Sequence, residues 1–240
     1  MRAAAHVAPS VDDNNRYLKI TVLGDRVRLA YTVFFGEVPG QRMRPSLDAN
    51  HDGTISDAES QAFGAKLGAE VAANLELELD REPRKIEWMD ISVGLGTPSV
   101  RGGAFSVDLV AYACLTSRDP HALKLRDRFR VPNPGDTELK LEDSPGVTIQ
   151  HARIGRIEAP DNLFKFIGPG GPLSDDGLDL AFTVSAHAPR ASSPCAKPTE
   201  PTSAAGMSRA VIVIAAAVIG FALAALATVI SRRRRARATR

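Results

Sequence analysis

Between about residues 12 and 187, apolar side chains recur at every second position in run after run, a pattern that packed β-sheets can use and helices cannot. Leu18, Ile20 and Val22 form one run, and Val27, Leu29, Tyr31, Val33 and Phe35 the next. Leu75, Leu77 and Leu79 follow, then Phe105, Val107, Leu109, Ala111 and Ala113. Leu123, Leu125, Phe129 and Val131, and finally Leu178, Leu180, Phe182 and Val184, complete the series. Turn-rich pieces such as "LGTPSVRGG" and "GPGGPLSDDG" separate them. Strands with one wet face, joined by turns, predict a mainly β domain over 12–187, an antiparallel β-sandwich or open barrel. One helix interrupts it. Over 57–74 the alanine- and glutamate-rich "DAESQAFGAKLGAEVAAN" places Phe63, Leu67, Val71 and Leu75 on a single stripe that can lie on a sheet.

The C-terminal part reads differently. "APRASSPCAKPTEPTSAAGMS", residues 188–208, has no apolar period and predicts an extended proline-rich linker. Val211 to Ile230 carries no charge, and about 20 residues at ~1.5 Å each span the ~30 Å of a bilayer core. A single membrane helix is therefore expected over 209–231. The following "RRRRARATR" (232–240) places the tail in the cytoplasm by the positive-inside bias, and the N-terminal domain outside, in the periplasm or at the cell surface. A tail-anchored cytosolic protein is the alternative, but it requires the tail's arginines to cross the membrane. Export needs a signal peptide. Residues 1–11, "MRAAAHVAPSV", lack its apolar core but resemble the end of one, so the true start is expected upstream.

Charge and cysteine usage narrow the partners. Residues 209–240 hold seven of the 30 basic residues and no acids, leaving 23 basic against 28 acidic in 1–208. A domain that is net acidic gives no support for nucleic-acid binding. Cys114 and Cys195 allow an internal disulfide, two free thiols or, through Cys195, an intermolecular bond. A homodimer could form through that bond or through Ala216, Gly220 and Ala224, whose four-residue spacing lets membrane helices approach closely.

The most specific motif is "LDANHDGTISDAE", Leu47 to Glu59. Counting from Asp48, oxygen-bearing residues fall at positions 1, 3, 5, 7, 9 and 12 (Asp48, Asn50, Asp52, Thr54, Ser56 and Glu59), with Gly53 at 6 and Ile55 at 8. Calcium takes six to eight oxygens at ~2.3–2.6 Å, and a chain wraps it when alternate residues turn inward and a glycine permits the sharp bend. Residues 48–59 resemble the loop of the EF-hand family, matching D-x-[DN]-x-[DN]-G-x5-E throughout. The resemblance implies a calcium ion held by side-chain oxygens of Asp48, Asn50 and Asp52, the Thr54 carbonyl, a water on Ser56 and both oxygens of Glu59. Two departures argue against a switch. Pro39, Gly40 and Pro45 leave at most a short irregular turn before the loop, and there is no second loop. A structural calcium at the ~10⁻⁴–10⁻³ M affinity of extracellular modules is the expectation.

Lys124, Arg126, Arg128 and Arg130 line one strand face, an anion-binding patch or a solvated face that discourages edge pairing. His51, His121, His151 and His187 show no metal-ligand spacing, and no nucleophile elbow, phosphate loop or zinc-hydrolase motif is present, so no enzyme is expected. The order of "NRYLKITVLGDRVRLAYTVFFGEVPGQ", an acidic loop, an alanine-rich helix and "LELELD" is similar to the extracytoplasmic domain of some bacterial nickel/cobalt exporters, over residues 6–85. That resemblance implies a bacterial envelope domain, and as a second reading an accessory metal-handling domain using His6. The first reading is a single-pass, calcium-stapled binding module for an unidentified extracytoplasmic protein or ligand.

Overall fold

A computed structural model describes residues 12–116, 119–158, 161–168, 171–190 and Cys195. The chain divides into Met1–Lys197 and Pro198–Arg240, and every described residue belongs to the first. The apolar run 211–230, the tail 232–240, residues 1–11 and most of the linker lie outside the described residues. Among the described residues no helix is long and apolar enough to cross a membrane.

The chain opens with β1 (Asn14–Val22) and β2 (Arg26–Phe35), then a short helix α1 (Glu37–Met43), a 3₁₀ turn (Arg44–Ser46) and the long helix α2 (Asp57–Asn74). Next come β3 (Leu75–Leu79), β4 (Glu82–Arg84), β5 (Trp88–Gly94), β6 (Phe105–Cys114), β7 (His121–Asp127), β8 (Pro134–Glu142) and β9 (Val147–Ile154). The chain closes with β10 (Ile157–Glu158), β11 (Leu163–Ile167), a one-turn helix α3 (Pro172–Asp175) and β12 (Leu178–Val184). The strands form two six-stranded sheets, ordered β11-β8-β1-β2-β6-β5 and β10-β9-β12-β7-β3-β4. Pairings are antiparallel except β1 with β8, which is parallel. The mainly β, two-sheet architecture read from the alternation is what the described residues form.

The alternating residues meet between the sheets. Val27, Leu29, Tyr31 and Val33 from β2 are buried in one continuous core with Leu123 and Leu125 of β7 and Leu178, Leu180 and Phe182 of β12. Helix α2 takes over where the second sheet ends. Its Leu67 and Val71 are buried, and Gly64 and Gly68 bring its backbone close to β5: a Cβ on Gly68 would sit 3.1 Å from the Trp88 ring. Trp88 fixes the approach by donating from Nε1 to the Gly68 carbonyl at 2.7 Å. Phe63 joins α2 to the sheet through Phe35 and Phe105, which stack at 4.5 Å.

One expected strand is shorter than its pattern. The 123–131 alternation ends as a strand at Asp127, whose Oδ1 accepts from the Phe129 N–H and turns the backbone. Asp127 points inward, where Arg16 of β1 meets it at 2.9 Å, with side-chain exposures of 0% and 4%. Tyr31 donates to the same carboxylate at 2.9 Å, and Thr137 of β8 accepts from Arg16 at 2.9 and 3.2 Å. Burial, then the Asp127 charge, holds the Tyr31 hydroxyl well above its ordinary pKa, so it stays a donor.

The linker's first residues belong to the fold. Ala188 is buried, Pro189 accepts from the Gly24 N–H at 2.9 Å, and Cys195 is bonded to Cys114 at the end of β6. Cys195 is thus taken up within the chain, and the intermolecular bond offered for it gives way to this one.

Removing one member of the buried pair strands the other's charge. Asp127→Ala should lose about 3–5 kcal/mol of unfolding free energy in urea denaturation, while the double variant Arg16→Met/Asp127→Leu should lose much less. Equal losses in both would show that the pair's charge is not what matters.

Candidate metal centre

The loop is more enclosed by helices than its sequence suggests. Instead of an irregular turn, α1 and the 3₁₀ turn lead into it, because Pro39 sits in the first turn of α1, where its missing N–H has no helical partner to lose. Leu47 and Ile55 at the two ends of the loop are buried, and Gly53 at φ +88° and His51 at φ 60° supply the left-handed bends between them.

Within the loop the predicted residues form one hydrogen-bonded ring. Asp48 accepts from the Asp52 N–H at 3.2 Å and the Gly53 N–H at 2.9 Å. Asn50 Oδ1 accepts from the Asp52 N–H at 2.9 Å, and Asp52 Oδ1 from the Thr54 N–H at 2.8 Å. Glu59 reaches back across the loop, its Oε1 on the Ala49 and Asn50 N–H groups at 2.8 and 3.2 Å. Ser56 has a role the spacing did not reveal. It is the N-cap of α2 and forms a reciprocal capping box with Glu59: its hydroxyl and N–H both donate to Glu59 Oε2, at 2.7 and 2.9 Å.

A partner for the loop comes from elsewhere in the fold. Thr54 pairs with Ser99 in an isolated antiparallel bridge, with the Ile55 N–H on the Pro98 carbonyl at 2.7 Å and the Val100 N–H on the Gly53 carbonyl at 3.3 Å. That pairing takes the Gly53 carbonyl and the Ile55 N–H, and the Thr54 N–H between them goes to Asp52 on the loop side. Segment 95–104 is itself organised by Arg44, which is 0% exposed. Its guanidinium donates to the carbonyls of Leu95, Thr97, Ser99, Gly103 and Ala104 and lies over the Phe105 ring. Burial lowers the Arg44 pKa and the nearby Glu37 charge partly restores it. Glu37 Oε2 also accepts from the Ala104 N–H at 3.0 Å, so α1 and the segment are tied twice.

The donor set is all oxygen, the chemistry of a hard cation such as calcium rather than of nickel or cobalt. The carboxylates are turned to backbone donors, however, and among the described residues no three His, Cys, Asp or Glu side chains are gathered on one point. A cation held here must compete with N–H groups for Asp48 and Glu59, which fits weak rather than tight binding. Among the described residues the histidines do not converge either: His121 is buried against Asp80 at 3.0 Å, and His151 lies 3.7 Å from Asp179. Of the four cations expected on one strand face only Lys124 and Arg126 lie in β7, since Asp127 ends it before Arg128 and Arg130; carboxylates meet them, with Glu76 on Arg126 and Arg128 and with Glu78 and Asp179 opposite Lys124.

Comparison of the chain with protein-family models and with curated proteins gives no match. The site therefore rests on its own residues.

The Ser56 N–H, then its hydroxyl, and then the Asn50 and Ala49 N–H groups pull the Glu59 carboxyl down to about 2. A depressed folded pKa stabilises the fold above the ordinary value of 4.5, and that contribution is lost as pH falls from there through about 2. Carboxyl NMR titration should place the Glu59 midpoint near 2, and Ser56→Ala should raise it while lowering stability by about 1 kcal/mol. A midpoint at the ordinary value would mean that the capping box does not form in solution.

Proposed function

We propose that this chain is an extracytoplasmic binding module, anchored by one C-terminal membrane span, in which the 48–59 loop takes a calcium ion as a structural staple. The observation that carries the reading is the loop itself: a complete twelve-position oxygen pattern closed end to end by Glu59. Asp48, Asn50, Asp52, Thr54 and Glu59 would hold the ion, with Ser56 at its edge. Calcium would tie the turn after α1 to the first turn of α2, both already pinned by Leu47 and Ile55. This is a staple rather than a switch, since the segment paired with the loop is held by Arg44 and has no second ion site to couple to.

Two further observations favour a module working outside the cytoplasm. The Cys114–Cys195 disulfide closes a separation of 81 residues, and such bonds persist in oxidising compartments. A groove of about 700 Å³ runs along α2 beside the loop, floored by Phe35, Leu47, Phe129 and Val131 and edged by Glu59, a surface suited to a protein or small-molecule partner. The second reading, an accessory domain handling nickel or cobalt, depends on His6, which lies outside the described residues.

Thermal melting of the purified full chain separates the two. With a Kd of ~10⁻⁴ M, about 10 mM calcium should stabilise the fold by about 2.7 kcal/mol, with no response to nickel. Glu59→Gln should abolish the gain. An equal gain in that variant, or a nickel response lost with His6→Ala, would reverse the assignment. The disulfide gives an independent check on compartment: chain isolated from cells under alkylating, non-reducing conditions should show no free thiol at Cys114 or Cys195. Recovery of both as free thiols would place the domain in a reducing compartment.

A further inference from the structure

Residues 129–132 keep the alternation of a strand after β7 has ended. Phe129 and Val131 are buried, whereas Arg130 and Pro132 are exposed. What the run lacks is a neighbour. The Phe129 N–H and carbonyl are taken by Asp127 and Arg16, and the Pro132 carbonyl accepts from the Asn14 side-chain amide at 2.6 Å. Among the described residues the main-chain groups of Arg130 and Val131 have no hydrogen-bond partner. Extended chain with free N–H and C=O groups is a template on which a further extended segment can pair.

Helix α2 faces this run across the groove of about 700 Å³. The groove presents real apolar surface, since Ala58, Ala62 and Pro132 are exposed and Met43 and Phe63 half-buried. Its rim carries two acids, Glu59 and Glu70, and two bases, Lys66 and Arg130, which suits an uncharged occupant with small apolar side chains. The chain has such a segment at this place. Asn14 pairs with Phe35, donates from its N–H to the Asn133 carbonyl at 2.8 Å and accepts from the Gly36 N–H at 3.3 Å, so β1 begins against two residues that line the groove, Phe35 and Pro132. Residues 1–11 are joined to the fold there, through Asp12 and Asp13. Their sequence, MRAAAHVAPSV, has no Asp, Glu, Lys or Arg after Arg2 and places Val7, Pro9 and Val11 at alternate positions, one face of an extended chain. Along α2 the groove runs from Ala58 to Glu70, ~18 Å at 1.5 Å per residue. Residues 6–11, extended, cover ~20 Å.

We propose that this groove is the seat of the chain's own N-terminal segment, residues 6–11 lying extended beside 130–131 with Val7, Pro9 and Val11 turned toward Ala62, Phe63 and Pro132. The free main-chain groups of Arg130 and Val131 gain a partner, and the exposed apolar wall of α2 is covered. The segment is thereby an intramolecular competitor of any molecule that uses the groove. Tethered a few residues away, it competes at an effective concentration in the ~mM range, so a partner must outbind it or the segment must be removed. The proposal rests on the groove as the partner surface named above, and on neither the calcium ion nor the membrane span.

The test uses the full chain in phosphatidylcholine nanodiscs, with the photo-crosslinker p-benzoylphenylalanine in place of Ser10, which alternates out of the Val7, Pro9 and Val11 face. Crosslinks should form within one chain and map to residues 58–70 or 129–132. Ala62→Arg, on the exposed side of α2, should lower their yield at least tenfold at an unchanged melting temperature, and Val7→Asp/Val11→Asp should do the same. Crosslinks scattered over other strands or confined to the lipid, or an undiminished yield in these variants, would overturn the docking. That outcome leaves the groove open to a foreign partner and the calcium and disulfide readouts untouched, so the two failures are told apart. Crosslinks joining isotope-labelled to unlabelled chain would give the groove to a second copy and overturn it equally. Should Ala62→Arg fail to fold, Val7→Asp/Val11→Asp decides alone, because neither residue belongs to the described fold, and undiminished crosslinking there refutes the proposal.

Discussion

The Arg16–Asp127 pair ties the two sheets together at the point where their alternation would otherwise be purely apolar. Arg16 lies in β1, in the inward register of Leu18, Ile20 and Val22, and Asp127 ends β7 in the register of Leu123 and Leu125. Neither charge can stay in the core alone, since the penalty of an uncompensated buried ion is several kcal/mol. Their meeting therefore fixes which inward position of one sheet faces which of the other. Tyr31 and Thr137 complete the arrangement, so four segments are brought to one point by polar groups with few alternative partners. A core of leucines and valines alone tolerates sliding and repacking; this pair makes a slipped register costly.

A second buried cation does comparable work beside the loop, with carbonyls where Arg16 has a carboxylate. Arg44 gathers the 95–104 segment around its guanidinium, and that segment then supplies the strand pairing for Thr54 and Ile55. The geometry of the acidic loop thus depends on an arginine outside it, through backbone rather than through any charge in the loop. This explains how a solitary loop can hold an ordered shape: the pairing that a second loop would provide comes from a rigid turn between β5 and β6.

Much of this was legible in the sequence, and the parts that were not share a cause. Period-two runs announced β1, β2, β3, β6 and β12 because each has an uninterrupted apolar register. The strand β8 has one as well, in Leu139 and Leu141, but only two apolar residues carry it; in β5 the inward positions are Trp88, Ile91 and Val93, with a register shift between Trp88 and Asp90. The shift in β9 opposite Ala181 and Phe182 similarly spoils its alternation. Arg16 and Asp127 were visible as charges sitting in apolar register, one of each sign, and that coincidence is the signal by which their pairing could have been found. The oxygen spacing of the loop located its ring of hydrogen bonds, yet Arg44 carried no local pattern, because its partners are carbonyls 51 to 60 residues away.

Asymmetry between the two sides of the fold follows from where the helix was placed. Helix α2 packs over β5 and brings its own stripe, with Gly64 and Gly68 letting its backbone approach Trp88, Ile91 and Val93. The β8–β9 side receives no comparable element among the described residues, and Val147 and Ile149 of β9 stay half-buried there. A larger side chain at Val147 could cover more of that side, whereas Val22 is already buried and a larger residue there would overpack the core.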